Sequence, residues 1–308
     1  MQKPMKAALL HLGSNMWAKK GQPGYHDPID CDKEVWIKLT NEMARLNYNT
    51  LLIDMGEGVQ LKSHPELAVE GSWTQEEFLE ELARLRSMGI TPYPKFNFSA
   101  GHSAWLQEYN YMIGSPEYDQ VCRDVIEEVI DLFGRPEFFH LGLEEEDEIM
   151  QKHYTVAVMR TPKKKMKDAL FLMDVCRAKG VRPWIWADEW TINDLGGEEE
   201  FKKNIAKDVL MSNYQYCKMT ERELAEGTEN AWYKFYTKLG EWGYEQVPTE
   251  SVWGWHLNSK QAIRYCNERA KGIVGYMMAP WMHTTKDDYY ANMLALHNFH
   301  YAWEDEMK

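Results

Sequence analysis

No stretch of the 308 residues runs to 18 uninterrupted apolar side chains, so a membrane-spanning helix is not expected. The start of the chain passes through Lys3, Pro4 and Lys6 into apolar sequence without the hydrophobic core and small-residue cleavage site of a leader, and a cytoplasmic protein is expected. Cysteine is scarce: Cys31, Cys122, Cys176, Cys217 and Cys266 are odd in number and widely spaced, with no Cys-x-x-Cys pair. That excludes a disulfide framework and a zinc cage, and fits a reducing compartment. Positive charge is in deficit, with 35 Lys and Arg against 48 Asp and Glu, a net charge of −13. Such a chain repels phosphate backbones and anionic lipid, so neither nucleic acid nor membrane is expected as a partner. Gly-x-Gly-x-x-Gly, the P-loop and the Gly-x-Ser-x-Gly elbow are all missing, which leaves nicotinamide, nucleotide and serine-esterase chemistry without support. No cofactor is implied, and no linker or low-complexity tract marks a second domain.

What the chain has is alternation. Short apolar runs at Ala7–Leu12, Thr50–Asp54, Thr91–Asn97, Glu137–Leu143, Arg182–Asp188, Asp208–Asn213, Gln246–Glu250 and Ile273–Ala279 read as eight strands. Between them, apolar residues recur at three- and four-residue spacing: Val35, Leu39, Met43 and Leu46; Phe78, Leu82, Leu85 and Met88; Val121, Val125, Ile126, Val129 and Ile130; Met166, Leu170 and Met173. Thr161-Pro162 has the form of a helix start, while Gly89 and Gly180 follow helix ends. Further helices are expected near Glu198–Ile205 and Asn230–Trp242. Eight such units in one chain of this length predict a single closed (β/α)8 barrel of the TIM type over residues 1–308.

In a parallel barrel, chemistry is done where the strands end. The residues standing there are His11, Asp54, Asn97 with His102, Glu144 and Glu145, Asp188 and Glu189, Tyr214, Glu250 with Trp253 and Trp255, and Trp281 with His283. Carboxylates and indoles dominate. Carboxyls in different surroundings separate into an acid and a base, and flat aromatic rings, abundant here at 13 Trp and 17 Tyr, offer the surfaces on which sugar faces stack. The combination points to cleavage of glycosidic bonds through an oxocarbenium-like transition state, with a carbohydrate as partner. The fourth strand is the most informative: Phe138-Phe139-His140-Leu141-Gly142-Leu143 empties into Glu144-Glu145-Glu146-Asp147. Glu144, Glu145, Asp188 and Glu250 are the candidate catalytic carboxylates, and at position 145 nearby indoles and the charge of Glu144, expected to be ionised, are expected to raise the pKa. Trp186, Trp253, Trp255 and Trp281 follow strands and are expected to line a sugar site, whereas Trp17, Trp36, Trp73 and Trp232 are assigned to packing. His140 reads as a core residue that holds a neighbour, and Lys163-Lys164-Lys165-x-Lys167 as a solvated helical face.

The segment His140-Leu141-Gly142-Leu143-Glu144-Glu145 resembles the His-x-Gly-Gly-Asp-Glu signature of family 20 glycoside hydrolases, the β-N-acetylhexosaminidases. Pro94–His102 is similar to that family's third-strand segment, which ends Pro-Gly-His. The resemblance implies that Glu145 is the general acid, that Glu144 polarises the substrate's own acetamide, which serves as nucleophile, and that His102 supports them. Glu144 stands where the family has Asp, Leu143 where it has Gly, and Asn97 where an acid is usual. Val247–Trp255 also looks like the seventh strand of retaining barrel glycosidases, which would make Glu250 a nucleophile. Two other readings stay open: a metal-dependent sugar isomerase or epimerase in which Asp54, Glu144, Asp188 and His283 converge on a cation, and a barrel that binds glycans without cleaving them.

Overall fold

The computed structural model describes residues 3–13, 25–152, 154, 156–218 and 233–307. Eight parallel strands, β1 (Met5–His11), β2 (Thr50–Asp54), β3 (Thr91–Lys95), β4 (Phe138–His140), β5 (Arg182–Trp186), β6 (Leu210–Ser212), β7 (Thr249–Glu250) and β8 (Gly275–Met278), form one sheet in the order β6-β5-β4-β3-β2-β1-β8-β7. The seam between β6 and β7 carries parallel bridges at Met211–Gln246 and Tyr214–Thr249. There Val247 N–H donates to the Met211 carbonyl at 2.8 Å and Thr249 N–H to the Asn213 carbonyl at 2.9 Å. The result is the predicted (β/α)8 barrel. All eight predicted strands are present, but several stop short of their predicted ends, because Asn97, Leu143 and Asp188 already belong to loops.

Helices α1 (Lys33–Arg45), α2 (Gln75–Ser87), α3 (Pro116–Leu132), α4 (Glu148–Gln151), α5 (Pro162–Ala178), α6 (Glu189–Asp194), α7 (Glu198–Asn204), α8 (Lys234–Glu241), α9 (Asn258–Arg269) and α10 (Tyr289–Glu306) flank the sheet. Their starts follow local chemistry: Thr74 and Glu77 form a reciprocal capping box on α2, and Pro162 occupies the first turn of α5. Gly89 and Gly180 stop α2 and α5 with φ of 80° and 76°. Residues 230–232 of the expected sixth helix, and Trp17 and Trp232, lie outside the described residues. Trp36 and Trp73 are buried packing residues as expected, and the Trp36 indole donates to Glu81 at 2.7 Å. All five cysteines are free. Among the described residues no helix is long and apolar enough to cross a membrane.

Two apolar layers result from the period-two alternation of the strands. Ala7, Leu9, Leu52, Tyr93, Phe138, Trp184, Trp186, Leu210, Val247 and Met277 fill the barrel. Ala8, Leu10, Leu51, Ile53, Phe139, Ile185, Met211 and Met278 face the helices. Registration between strands decides the fate of Glu250. Thr249 is in register with the inward Met277, and Glu250 with the outward Met278. Its carboxyl is therefore sealed between β7 and the helices, where Cys266 and Tyr236 sense its charge, and neither oxygen has a hydrogen-bond partner. The expectation that Glu250 is a second catalytic carboxylate is corrected on this ground: a one-residue step along a strand moves a side chain to the opposite face.

Burial pushes the Glu250 carboxyl well above the ordinary carboxylate range. An acid whose pKa is raised on folding, from about 4.3 in the unfolded chain, leaves full stability below that pH, and stability is lost as pH rises toward the folded pKa. Glu250→Gln, a neutral isostere, is expected to leave Tm at pH 4 nearly unchanged and to raise it at pH 8 by about 2 °C or more. Thermal unfolding at the two pH values checks this; a lower Tm at pH 8 would show that the carboxylate is stabilised by a partner.

Candidate functional site

The register of β1 to β4 places one ionisable side chain per strand in a single row: His11 pairs with Asp54, Asp54 with Lys95, and Lys95 with His140. All four are buried at the mouth of the barrel. Lys95 Nζ donates to Asp54 Oδ2 at 2.9 Å, and His11 Nδ1 lies 3.1 Å from the same oxygen. Burial alone would raise the Asp54 pKa, but the Lys95 charge and His11 outweigh it and hold it at about 2. His140 is kept neutral, its pKa lowered by burial and by Lys95. Its Nδ1 accepts from the Gly142 N–H at 3.0 Å, so it does hold a neighbour, the turn that follows β4. Sequence reasoning named His11 and Asp54 but passed over Lys95; the available signal was a lysine inside an otherwise apolar strand.

Above this row the chain after β4 leaves the sheet through a left-handed turn, with φ of 71° at Gly142, 81° at Leu143 and 55° at Glu145. The turn fits because Asn97 closes over it. Asn97 Nδ2 donates to Glu144 Oε1 at 2.6 Å, and Asn97 Oδ1 accepts from Leu143 N–H at 3.3 Å and Ser99 N–H at 3.1 Å. A Cβ on residue 142 would lie 2.3 Å from Asn97 Oδ1, so only glycine fits.

The acidic run divides into four roles. Glu144 is buried, its Oε2 without a hydrogen-bond partner, and burial pushes its pKa up to about 7, with Glu145 adding to the rise and His102 and Lys95 opposing it. Glu145 accepts from or shares a proton with His102 Nε2 at 2.9 Å, and its side chain is 31% exposed. Glu146 turns into the protein, where Arg160 pairs with it and Ala100 N–H donates to it at 3.1 Å. Asp147 caps α4, accepting from Met150 N–H at 2.9 Å. The desolvated acid expected at position 145 is thus found at 144, because Asn97 draws Glu144 inward while His102 holds Glu145 at the surface. Lys165, assigned to a solvated face, is also buried; it reaches the Glu146 carbonyl at 3.2 Å and Asp194 at 2.8 Å, while Lys163, Lys164 and Lys167 stay exposed.

Asp188 serves as both cap and mouth residue. Its carboxylate accepts from Thr191 N–H, Thr191 Oγ1 and Trp190 N–H at 3.1, 2.5 and 3.2 Å, starting α6, and burial still raises its pKa to about 6. Trp186 is fully buried among other rings, with centroids 4.6 Å from His140, 5.5 Å from Tyr214 and 5.7 Å from Trp281, so of the four tryptophans expected to line a sugar site Trp186 and Trp281 pack behind the cleft and Trp253 and Trp255 line it. Trp281, at φ 57°, donates from Nε1 to Tyr216 Oη at 2.8 Å. A cleft of about 560 Å³ opens at the barrel mouth, and Glu145, Asp188, Glu189, Tyr214, Trp253 and Trp255 are among the residues that line it. The residues proposed for a shared cation do not converge: Asp54 pairs with Lys95, Glu144 with Asn97, Asp188 caps a helix, and His283 lies 3.4 Å from Asp30. Among the described residues the group with metal-ligating spacing is His26, Asp30 and His283. There the two imidazoles stack at 11° with centroids 5.3 Å apart and both reach Asp30, an arrangement in which one carboxylate bridges two rings.

Neither a scan against protein-family models nor a search of curated proteins finds a match to this sequence. Solved structures do match along almost the whole chain. The pneumococcal virulence factor StrH, described in terms of N-glycan recognition and hydrolysis, is similar with a TM-score of 0.66 at 14% identity, over 98% of this chain and 84% of that one. A β-N-acetylhexosaminidase from Bacteroides fragilis gives 0.62 at 16% identity, over 97% and 65%. A GH138 enzyme targeting pectin rhamnogalacturonan II gives 0.60 at 15% identity, over 98% and 39%. At these identities the likeness establishes the architecture: the barrel is shared with β-N-acetylhexosaminidases and with a glycosidase of another family.

Proposed function

We propose that the protein is a glycoside hydrolase that cleaves terminal N-acetylhexosaminides, with Glu145 and Glu144 as its working carboxyls. The observation that carries this reading is the placement of two adjacent carboxyls in unlike surroundings at the end of β4: one facing the cleft and held by His102, the other buried against Asn97. The barrel shared with β-N-acetylhexosaminidases supports it, as does the resemblance of the β4 segment to their signature. Glu145 lines the cleft and Glu144 does not, which supports Glu145 as the proton donor. Glu144 keeps its proton up to about pH 7, so the two groups hold at least one proton between them across that range.

In the productive complex the proton is on Glu145 and the charge on Glu144. Glu145 protonates the glycosidic oxygen, the bond from that oxygen to the anomeric carbon breaks with its electron pair on oxygen, and the acetamide oxygen of the substrate bonds to the anomeric carbon. The charge of Glu144, buried behind Glu145, acts through space to favour the positive charge that develops on the acetamide. Water then attacks the anomeric carbon, the bond from the acetamide oxygen to that carbon breaks with its electron pair returning to the acetamide, and the water gives a proton to the Glu145 carboxylate, restoring the starting state.

Glu145→Gln is expected to lower kcat on aryl β-N-acetylhexosaminides by about 10²–10⁴-fold while leaving ligand affinity near that of wild type; near-normal turnover would refute the assignment. The pH profile offers a separate check. Since Glu144 gives up its proton near pH 7, kcat/KM is expected to fall as pH rises through about 7, and Glu144→Gln is expected to remove that limb. A wild-type profile that climbs through the same interval would contradict the shared-proton scheme.

A further inference from the structure

The cleft extends well past the carboxyls, and its outer wall is aromatic. Trp190 is 71% exposed and Trp253 64% exposed, and both line the same concavity as Glu145 and Asp188, with Trp255 half-buried beside them. Single exposed apolar residues need no explanation, but indoles gathered on one concave wall leave uncovered the kind of surface that marks a binding site.

The wall is also rigid. Trp190 rides on the first turn of α6, where its N–H bonds to the capping Asp188 carboxylate. The Trp253-Gly254-Trp255 loop is fastened at both ends: Trp253 N–H donates to Ser251 Oγ at 3.1 Å, and Asn258 donates to the Gln215 carbonyl at 2.6 Å while accepting from Ser251 N–H at 3.2 Å. Between the two indoles, a Cβ on Gly254 would lie 2.9 Å from the Tyr216 carbonyl oxygen, so the glycine is what lets this loop settle on the chain after β6. A platform ordered before the ligand arrives loses little entropy on binding.

We propose that Trp190, Trp253 and Trp255 form a leaving-group platform, so that the substrate is an uncharged oligosaccharide whose units beyond the scissile bond stack on these indoles. This rests on the proposed function, because Glu145 protonates the leaving oxygen and whatever fills the cleft beside Glu145 is then the leaving group. The volume of about 560 Å³ exceeds the needs of one pyranose ring. The ionisable wall residues are Glu145, Asp188 and Glu189 against Lys218, whose ammonium lies 5.5 Å from the Trp255 ring centroid, a balance that disfavours an acidic glycan.

The test compares a β-1,4-linked N-acetylglucosamine tetramer with N-acetylglucosaminyl fluoride, whose leaving group is a single atom too small to reach the indoles. Trp190→Ala and Trp253→Ala are each expected to lower kcat/KM on the tetramer at least tenfold more than on the fluoride; equal losses on the two substrates, or none on the tetramer, would overturn the platform. Calorimetric binding of the tetramer to Glu145→Gln separates this from the catalytic reading. Binding that weakens at least tenfold when either tryptophan is also removed supports the platform even if the wild type hydrolyses neither substrate, in which case hydrolysis is the reading that fails. Absence of tetramer binding, or binding indifferent to both tryptophans, ends the proposal.

Discussion

The side-chain amide of Asn97 joins the loops after β3 and β4 by donating to Glu144 and accepting from the Leu143 N–H. It reaches both because residue 142 has no Cβ to block it. Strict strand alternation from the inward His140 would send residues 142 and 144 inward and residue 145 away. The left-handed backbone at Leu143 and Glu145 breaks that alternation and brings two consecutive carboxyls to the barrel mouth. Non-glycine residues in this region cost of order 1–3 kcal/mol each, and they persist only where the surroundings over-determine them. Here the surroundings include the Asn97 bonds, the His102–Glu145 contact, and Glu146 with Arg160 beneath them.

Charge at the mouth is arranged by exclusion. Asp54 has Lys95 and His11, which hold it ionised where burial would otherwise neutralise it, and Glu146 has Arg160 and Lys165 as its ion-pair partners. Glu144 has an amide on one oxygen and nothing on the other, and burial raises its pKa to about 7 against the opposing charges of His102 and Lys95. Supplying paired cations to Asp54 and Glu146 while leaving Glu144 without one is what makes neighbouring carboxyls at one mouth differ. The row from His11 to His140 also gives the site a polar base that cannot shift, because each member sits in a strand registered to the next.

Much of this was legible beforehand. The eight strands show as short apolar runs bounded by glycines and caps, since burial on both faces of a parallel sheet demands continuous apolar sequence. The pairing of Glu145 with His102 and of Glu144 with Asn97 joins residues named together from the ends of β3 and β4. Lys95 and Lys165 escaped because a buried lysine is identified by its partner, Asp54 or Asp194, and those partners are 41 and 29 residues away. Glu250 was misplaced because β7 spans only Thr249–Glu250, too short for the alternation to show which residue faces inward.

By itself, then, the sequence determined the barrel and the enrichment of one end of it in carboxyls and indoles, because periodicity and composition are local properties. Only the tertiary structure decided which carboxyl is desolvated, which one caps a helix, which one is locked in a salt bridge and which one faces away. Those outcomes depend on inter-strand register and on partners distant in the chain, and a shift of one residue in register exchanges an inward side chain for an outward one.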